Sequence, residues 1–485
     1  MNEKVSRRRL LSGAAAVVGA TFLGSKTSFG QQDQIKPSDP PGPDGQPSKV
    51  SNGPAISTRT QPAWMHPPHP EPGLPGKHYK PVVIPNGSVL PWKLVDGLKV
   101  MHLIAEEVNH EFVPASAENQ SLRAFCWGFN GQVHGPAIEC VEGDRLRIYV
   151  TNNLPEATSV HWHALITPSG MDGVAGLSQK AIEPGETYKY EFTVWQHGTF
   201  MYHSHEDEMT QIALGMTGLF IVHPREPEQD PPDRDFAILL HEWRIDVGTR
   251  RPNPGEMTDF NVLTMNARAF PGTDPLVAKL GDKVRIRLGN LSPMEHHPIH
   301  LHGHAFWVVA TDGGLIPESA RWPQATALVP VGSTKTVEFI ANNPGDWAMH
   351  CHMTHHAMNQ MGHGLPNMIG VKPGDLNRKA GKILSGFMTM GETGMGDMGG
   401  MQMPIPKNSV PMVGLATPKG YIGMGGMYTN LKVRENLESY DIDPGWYQDP
   451  PGTLASPASN EELMRDLGKL PQTKPMDKNM KDMNM

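Results

Sequence analysis

Gly345-Asp346-Trp347-Ala348-Met349-His350-Cys351-His352 and Gly198-Thr199-Phe200-Met201-Tyr202-His203-Ser204-His205 are two copies of one pattern, a glycine followed by a short run that ends in His-x-His. Alternate residues of a β-strand face the same side. Read as strands, both segments therefore aim two imidazoles into one space. Working outward, Gly185-Glu186-Thr187 to Phe192 matches Gly332-Ser333-Thr334 to Phe339, and Gly143-Asp144-Arg145 to Asn152 matches Gly281-Asp282-Lys283 to Asn290. Within these copies, Arg145 to Val150 and Lys335 to Ile340 alternate apolar and polar residues with the period of half-buried strands. No long amphipathic helix interrupts them. The predicted fold class is all-β, with two Greek-key β-sandwich or barrel domains at residues 95–225 and 235–375.

Outside the repeat the composition changes. Residues 31–94 are rich in proline, glycine and serine, with Pro40-Pro41-Gly42-Pro43 and Pro67-Pro68 opposing regular structure, and are expected to form an extended leader. Residues 376–485 hold Met388, Met390, Met395, Met398, Met401, Met403, Met424 and Met427 among glycines and prolines, and read as a tail. Arg7-Arg8-Arg9, an apolar run to Gly24 and a small-x-small site at Ser28-Phe29-Gly30 make residues 1–30 a signal peptide that resembles a twin-arginine signal. Export to a periplasmic or extracellular location is expected.

The 485-residue chain has a formal net charge of -8 and no basic run beyond its start, which argues against a nucleic-acid partner. No later apolar stretch approaches the ~18 residues of a membrane helix, so no stable membrane insertion is expected. There are three cysteines. Cys126 and Cys140 flank the turn signal Asn130-Gly131 and could be bridged across a hairpin or stay free. Cys351 stands alone between two histidines.

Four clusters carry the chemistry: His161-Trp162-His163, His203-Ser204-His205, His297-Pro298-Ile299-His300-Leu301-His302, and His350-Cys351-His352 followed by His356 and Met361. Eight histidines arriving as pairs on four strands suffice for several metal ions. Strand alternation sends Cys351 to the face opposite His350 and His352, so adjacent residues serve two different sites. A thiolate, two imidazoles and a weak thioether compose a blue-copper electron-transfer site. His297, Cys351, His356 and Met361 supply that set. His296, His304, His355 and His363 are read as supporting or surface residues.

These clusters resemble the four copper-binding signatures of multicopper oxidases, over both repeats. The resemblance implies cupredoxin-like domains and copper as cofactor, four ions per active unit: one type 1, one type 2 and two type 3. It implies type 1 ligation by His297, Cys351, His356 and Met361, type 2 ligation by His161 and His300, and type 3 ligation by His163, His203, His205, His302, His350 and His352. Between His205 and His297 there is no room for the middle domain of three-domain members. The chain thus resembles two-domain laccases, whose trinuclear cluster forms between subunits, which implies a homotrimer. In the first repeat Ser204, Met209 and Leu214 stand at the positions of Cys351, His356 and Met361, so only the second domain is expected to hold type 1 copper.

The expected activity is one-electron oxidation of a small reducing substrate coupled to four-electron reduction of O2 to water. The substrate would be a phenol, an aromatic amine or a low-valent metal ion such as Cu(I) or Mn(II), meeting the exposed edge of His297 or His356. Asp172, near the first cluster, is the candidate catalytic proton relay. The methionine-rich tail favours Cu(I), because thioethers are soft ligands. Two alternatives are a copper-sequestering protein without turnover and a copper nitrite reductase. The complete His-x-His set opposes both.

Overall fold

The computed structural model describes residues 70–115, 121–246, 248–357, 367–369, 374–380, 382–383, 388–390 and 414–471, all within one compact unit. The twin-arginine segment, Met361, His363 and the methionines from 395 to 403 lie outside the described residues. As expected, the fold is all-β with short helices only.

The first domain packs two sheets face to face. One is ordered Trp92–Val95, Leu98–Val113, Arg145–Asn152, Thr187–Thr193, with Leu122–Phe129 also paired to Leu98–Val113. The other runs Ile138–Val141, Thr217–His223, Gly198–Ser204, Val160–His163. Arg145–Asn152 alternates half-buried and buried residues as its sequence requires. Its inward Leu146, Ile148 and Val150 meet Trp162, Phe200 and Phe220 from the opposite sheet.

The second domain repeats the plan. Arg234–Trp243 lies parallel to Lys283–Asn290, as Leu98–Val113 lies parallel to Arg145–Asn152. Its second sheet runs Leu276–Lys279, Tyr428–Arg434, Gly345–Cys351, His297–Leu301, Thr326–Val329. An internal asparagine marks the repeat in three dimensions. Asn152 donates to the carbonyls of Glu156 and Ile182 and accepts from the Leu154 N–H. Asn290 does the same with Glu295, Val329 and Ser292. Each asparagine closes the loop that leads into a histidine strand.

Two expectations need correction. The second domain does not end at residue 375: Tyr428–Arg434, inside the segment read as a tail, is an internal strand of its sheet, paired in parallel with Leu276–Lys279 and antiparallel with Gly345–Cys351. It fills the place that Thr217–His223 fills in the first domain. Leu431-Lys432-Val433-Arg434 does alternate, but it follows the methionine-rich stretch and lies outside the repeat that marks the domains in the sequence. The methionine-rich stretch is thus inserted before a final strand. The leader also acquires structure before residue 94, through the strand Trp92–Val95 and bridges from Val83 to Phe236 and Val89 to Ala137. Of the two states left open for Cys126 and Cys140, the free one holds: they are buried in different apolar clusters.

Two apolar clusters join the domains. Phe112, Cys126 and Val133 pack against Trp243, Ile245 and Val262, while Val82, Met201, Leu219 and Ile221 pack against Ala237, Leu239 and Leu291. Arg287 adds a hydrogen bond to Thr199 Oγ1 at 3.0 Å. Their burial fixes how the histidine strands of one domain face the other.

Candidate metal centres

His297 begins the strand His297–Leu301, Cys351 ends the strand Gly345–Cys351, and His356 sits in the tight turn that follows. Ile299 is paired with Cys351 in register, which brings the two chain ends together. Cys351 Sγ lies 3.8 Å from His297 Nδ1 and 3.3 Å from His356 Nδ1, and the two Nδ1 atoms are 3.1 Å apart. All three side chains are buried. Burial pushes the Cys351 thiol up to about 12 and holds His297 well below the usual imidazole range. A soft sulfur and two imidazoles converging on one point fit a copper ion. The backbone fixes this turn from behind: Cys351 donates to the Met427 carbonyl at 3.1 Å, and Met427 donates to the His356 carbonyl at 3.0 Å.

The other eight histidines form two quartets. In the first domain, His161, His163 and His203 bring a nitrogen each within 4.8 Å of one another, and His205 lies 5.5 Å from His161 between ring centroids. In the second, His300 stands 4.7 Å from His302, 5.7 Å from His350 and 5.5 Å from His352 between centroids. Most rings have one nitrogen tied to a carbonyl: His161 to Asp172 at 2.7 Å, His203 to Ser204 at 2.7 Å, His300 to Ala325 at 2.6 Å, His350 to Cys351 at 2.8 Å and His163 to Gly332 at 2.8 Å. Such ties fix the tautomer and leave the other nitrogen for a metal. Burial lowers His203 to about 3 and also lowers His163, His302 and His350, so these rings are neutral near pH 7. Both quartets fit copper by donor type. Among the described residues, no ring of one quartet stacks on a ring of the other, and His302 and His352 are exposed.

Asp172 stands where the sequence suggested, with its carboxylate 3.5 Å from His161 Nδ1. Other groups were not foreseen. Glu208 reaches His205 Nε2 at 3.2 Å. Glu295 Oε2 lies 2.5 Å from His356 Nε2. Glu242, fully buried on Arg234–Trp243, accepts the N–H groups of Met294 and Glu295. Burial and the nearby Glu295 push Glu242 up to about 9. Glu295, two residues before His297, and Glu208, three residues after His205, lie beside the histidine clusters in sequence; Glu242 arrives through a tertiary contact. The expected exposed imidazole edge is absent, since His297 and His356 are both buried and Ser292 Oγ covers His297 Nε2 at 2.6 Å. The first domain's matching position is filled by Gln211, not by Met209: Thr158 and Ser204 both donate to Gln211 Oε1, at 2.7 and 2.5 Å, while Met209 is exposed.

Of the remaining histidines, His296 accepts the Val331 N–H at 3.0 Å, His304 is buried against Phe339 and Trp347, and His355 is exposed.

Residues 114–227 and 246–369 each match a family model described as multicopper oxidase. The chain is 33% identical over 235 residues to copper resistance protein A of Escherichia coli, covering 39% of this chain and 38% of that protein. It is 32% identical over 264 residues to laccase-2 of Botryotinia fuckeliana, covering 48% of this chain and 44% of that protein. Among solved structures, the blue copper oxidase from Nitrosomonas europaea aligns with a TM-score of 0.49 and 26% identity, covering 68% of this chain and 85% of that one. The chain spans 38–39% of the length of the copper resistance proteins A that it matches. With a thiolate-imidazole set, two histidine quartets and both family models falling on the two β-domains, the chain belongs to the multicopper oxidase family.

Proposed function

We propose that this protein oxidises a reducing substrate one electron at a time and reduces O2 to water. The observation that carries this reading is the run His350-Cys351-His352, in which one strand end serves the buried thiolate set on one face and the second-domain quartet on the other. Bound copper would supply reversible one-electron exchange with the donor and the centre at which O2 is reduced. Cys351 gives the shortest covalent connection between the two sets. Asp172 and Glu208 hold carboxylates beside the first-domain quartet, where protons are needed. The remaining ligand of the thiolate set is Met361, on the grounds of the family pattern.

Because each quartet stays with its own domain, and His302 and His352 of the second are exposed, a complete cluster is assigned to the meeting of one chain's first domain with another chain's second domain. A homotrimer closes that arrangement. The chain is assigned a twin-arginine export route and a periplasmic or extracellular location from its first thirty residues.

The donor meets the protein at Glu295, which is partly exposed and contacts His356 directly. Met294 and Met353 are exposed nearby in sequence. A carboxylate with neighbouring thioethers favours a cationic donor, Cu(I) before Mn(II), with phenols and aromatic amines as the alternative class. Oxygen uptake by the copper-loaded protein with Cu(I) and with a simple phenol tests this reading. Uptake with neither donor, despite full copper loading, would leave a sequestering protein. Nitric oxide from nitrite would make it a nitrite reductase.

A further inference from the structure

We infer that Glu242 is the positioning residue of the His297-Cys351-His356 set, clamping the loop from Leu291 to His297 so that both imidazoles hold their places around the thiolate. The inference rests on the copper-binding reading of that set.

Glu242 has a wholly buried side chain. Its Oε1 accepts two successive backbone N–H groups, from Met294 at 2.8 Å and Glu295 at 2.9 Å. Its Oε2 stands 3.9 Å from His297 Nε2, and its carboxyl also faces the carboxylate of Glu295. The clamped backbone carries both imidazole contacts. Two residues before Met294, Ser292 bonds His297 Nε2; the next residue, Glu295, places its carboxylate on His356 Nε2. One side chain thus fixes the frame from which both rings are oriented, and rings so fixed cannot follow the metal when its charge changes.

The repeat supplies the control. Leu240 pairs with Asn290 and Ala105 pairs with Asn152 in equivalent parallel registers, so Glu242 corresponds to Glu107. Glu107 is an exposed partner of Arg251 and makes no bond to the loop after Asn152. That first-domain loop is held without a buried carboxyl, by Asn152, by the Asn153 N–H on the Ala105 carbonyl and by Gln211 Nε2 on the Ala157 carbonyl at 2.8 Å, and the domain folds. The buried carboxyl is therefore not a requirement of this β-sandwich. It occurs in the domain with the thiolate set, although burying a carboxyl is costly.

The test uses the full-length, copper-loaded protein and the variants Glu242→Leu, which lacks an acceptor, and Glu242→Gln, which keeps one for the two N–H groups. Three quantities are read: the thiolate-to-copper charge-transfer band, the reduction potential of that centre, and kcat/KM. Glu242→Leu is expected to shift or weaken the band and lower kcat/KM by about 10–100-fold, with histidine-bound copper retained. Glu242→Gln is expected to restore the wild-type band and potential. A Leu variant with an unchanged band and potential overturns the inference. So does a folded Gln variant that loses the band, whether or not the Leu variant accumulates. Absence of the band from the wild-type protein would instead refute copper binding at this set.

Discussion

Ser204 Oγ donates to Gln211 Oε1 at 2.5 Å in the first domain, at the strand position where Cys351 Sγ faces His356 Nδ1 at 3.3 Å in the second. One fold thus closes the same pocket in two ways, with a hydrogen-bonded plug and with a ligand set. Gln211→Leu would leave the buried Thr158 and Ser204 hydroxyls without their shared acceptor. A stability loss of about 1–3 kcal/mol is expected in denaturant unfolding, with the thiolate-copper band unchanged. A weakened band would mean that the plug supports the second domain's site.

The strand Tyr428–Arg434 makes the C-terminal segment part of the second domain. Truncation after residue 376 is expected to abolish soluble protein, because it removes an internal strand from between two partners. Met427→Ala, at a fully buried position, is expected to cost about 2–5 kcal/mol. It should also broaden the thiolate-copper band, because the cavity left by the buried side chain lets the Met427 backbone, which bonds Cys351 and His356, shift. Replacing Met388, Met390, Met395, Met398, Met401 and Met403 by leucine leaves the strand intact. If oxygen uptake with Cu(I) falls on that replacement while uptake with phenol does not, the inserted thioethers serve the donor.

Cys351 is protonated at neutral pH when copper-free, because burial pushes its thiol up to about 12. Copper must displace that proton. Apparent affinity at this set should therefore rise about tenfold per pH unit between roughly pH 6 and pH 8, with one proton released per ion. His297, held well below the usual imidazole range by burial, is already neutral there and releases none. Competition titrations at several pH values give the slope. Cys351→Ser should remove the band and turnover while sparing copper on the quartets.

Glu295 should discriminate between donors by charge. Glu295→Gln removes the negative charge beside His356 and is expected to lower kcat/KM for a cationic metal donor by about tenfold or more. A neutral phenol should change little. Equal loss for both donors would indicate disturbance of His356 itself.

Acid should destabilise the copper-free protein before its carboxylates titrate. His110 is buried and lowered to about 4 from 6.5. Its folded-state pKa lies below its unfolded one, so its contribution is intact above about pH 6.5 and is lost as pH falls towards 4. The loss is at most about 1.4 kcal/mol per pH unit. His110→Phe should flatten the fall of Tm across that window, and an unchanged slope would assign the acid sensitivity elsewhere.

The sequence by itself determined the β-class, the twofold repeat and the clusters of ligand residues. Each rests on local order: the period of two in Arg145 to Val150, the glycine-to-His-x-His copies, and the adjacency of His350, Cys351 and His352. Tertiary structure decided what depends on strands far apart in the chain. It set Tyr428–Arg434 beside Gly345–Cys351, filled the first domain's pocket with Gln211, and put Glu242 under the His297 loop. It also buried the imidazole edges expected at the surface and kept Cys126 from Cys140. Such pairings are not written in local order, because a buried contact is selected by partners tens or hundreds of positions away.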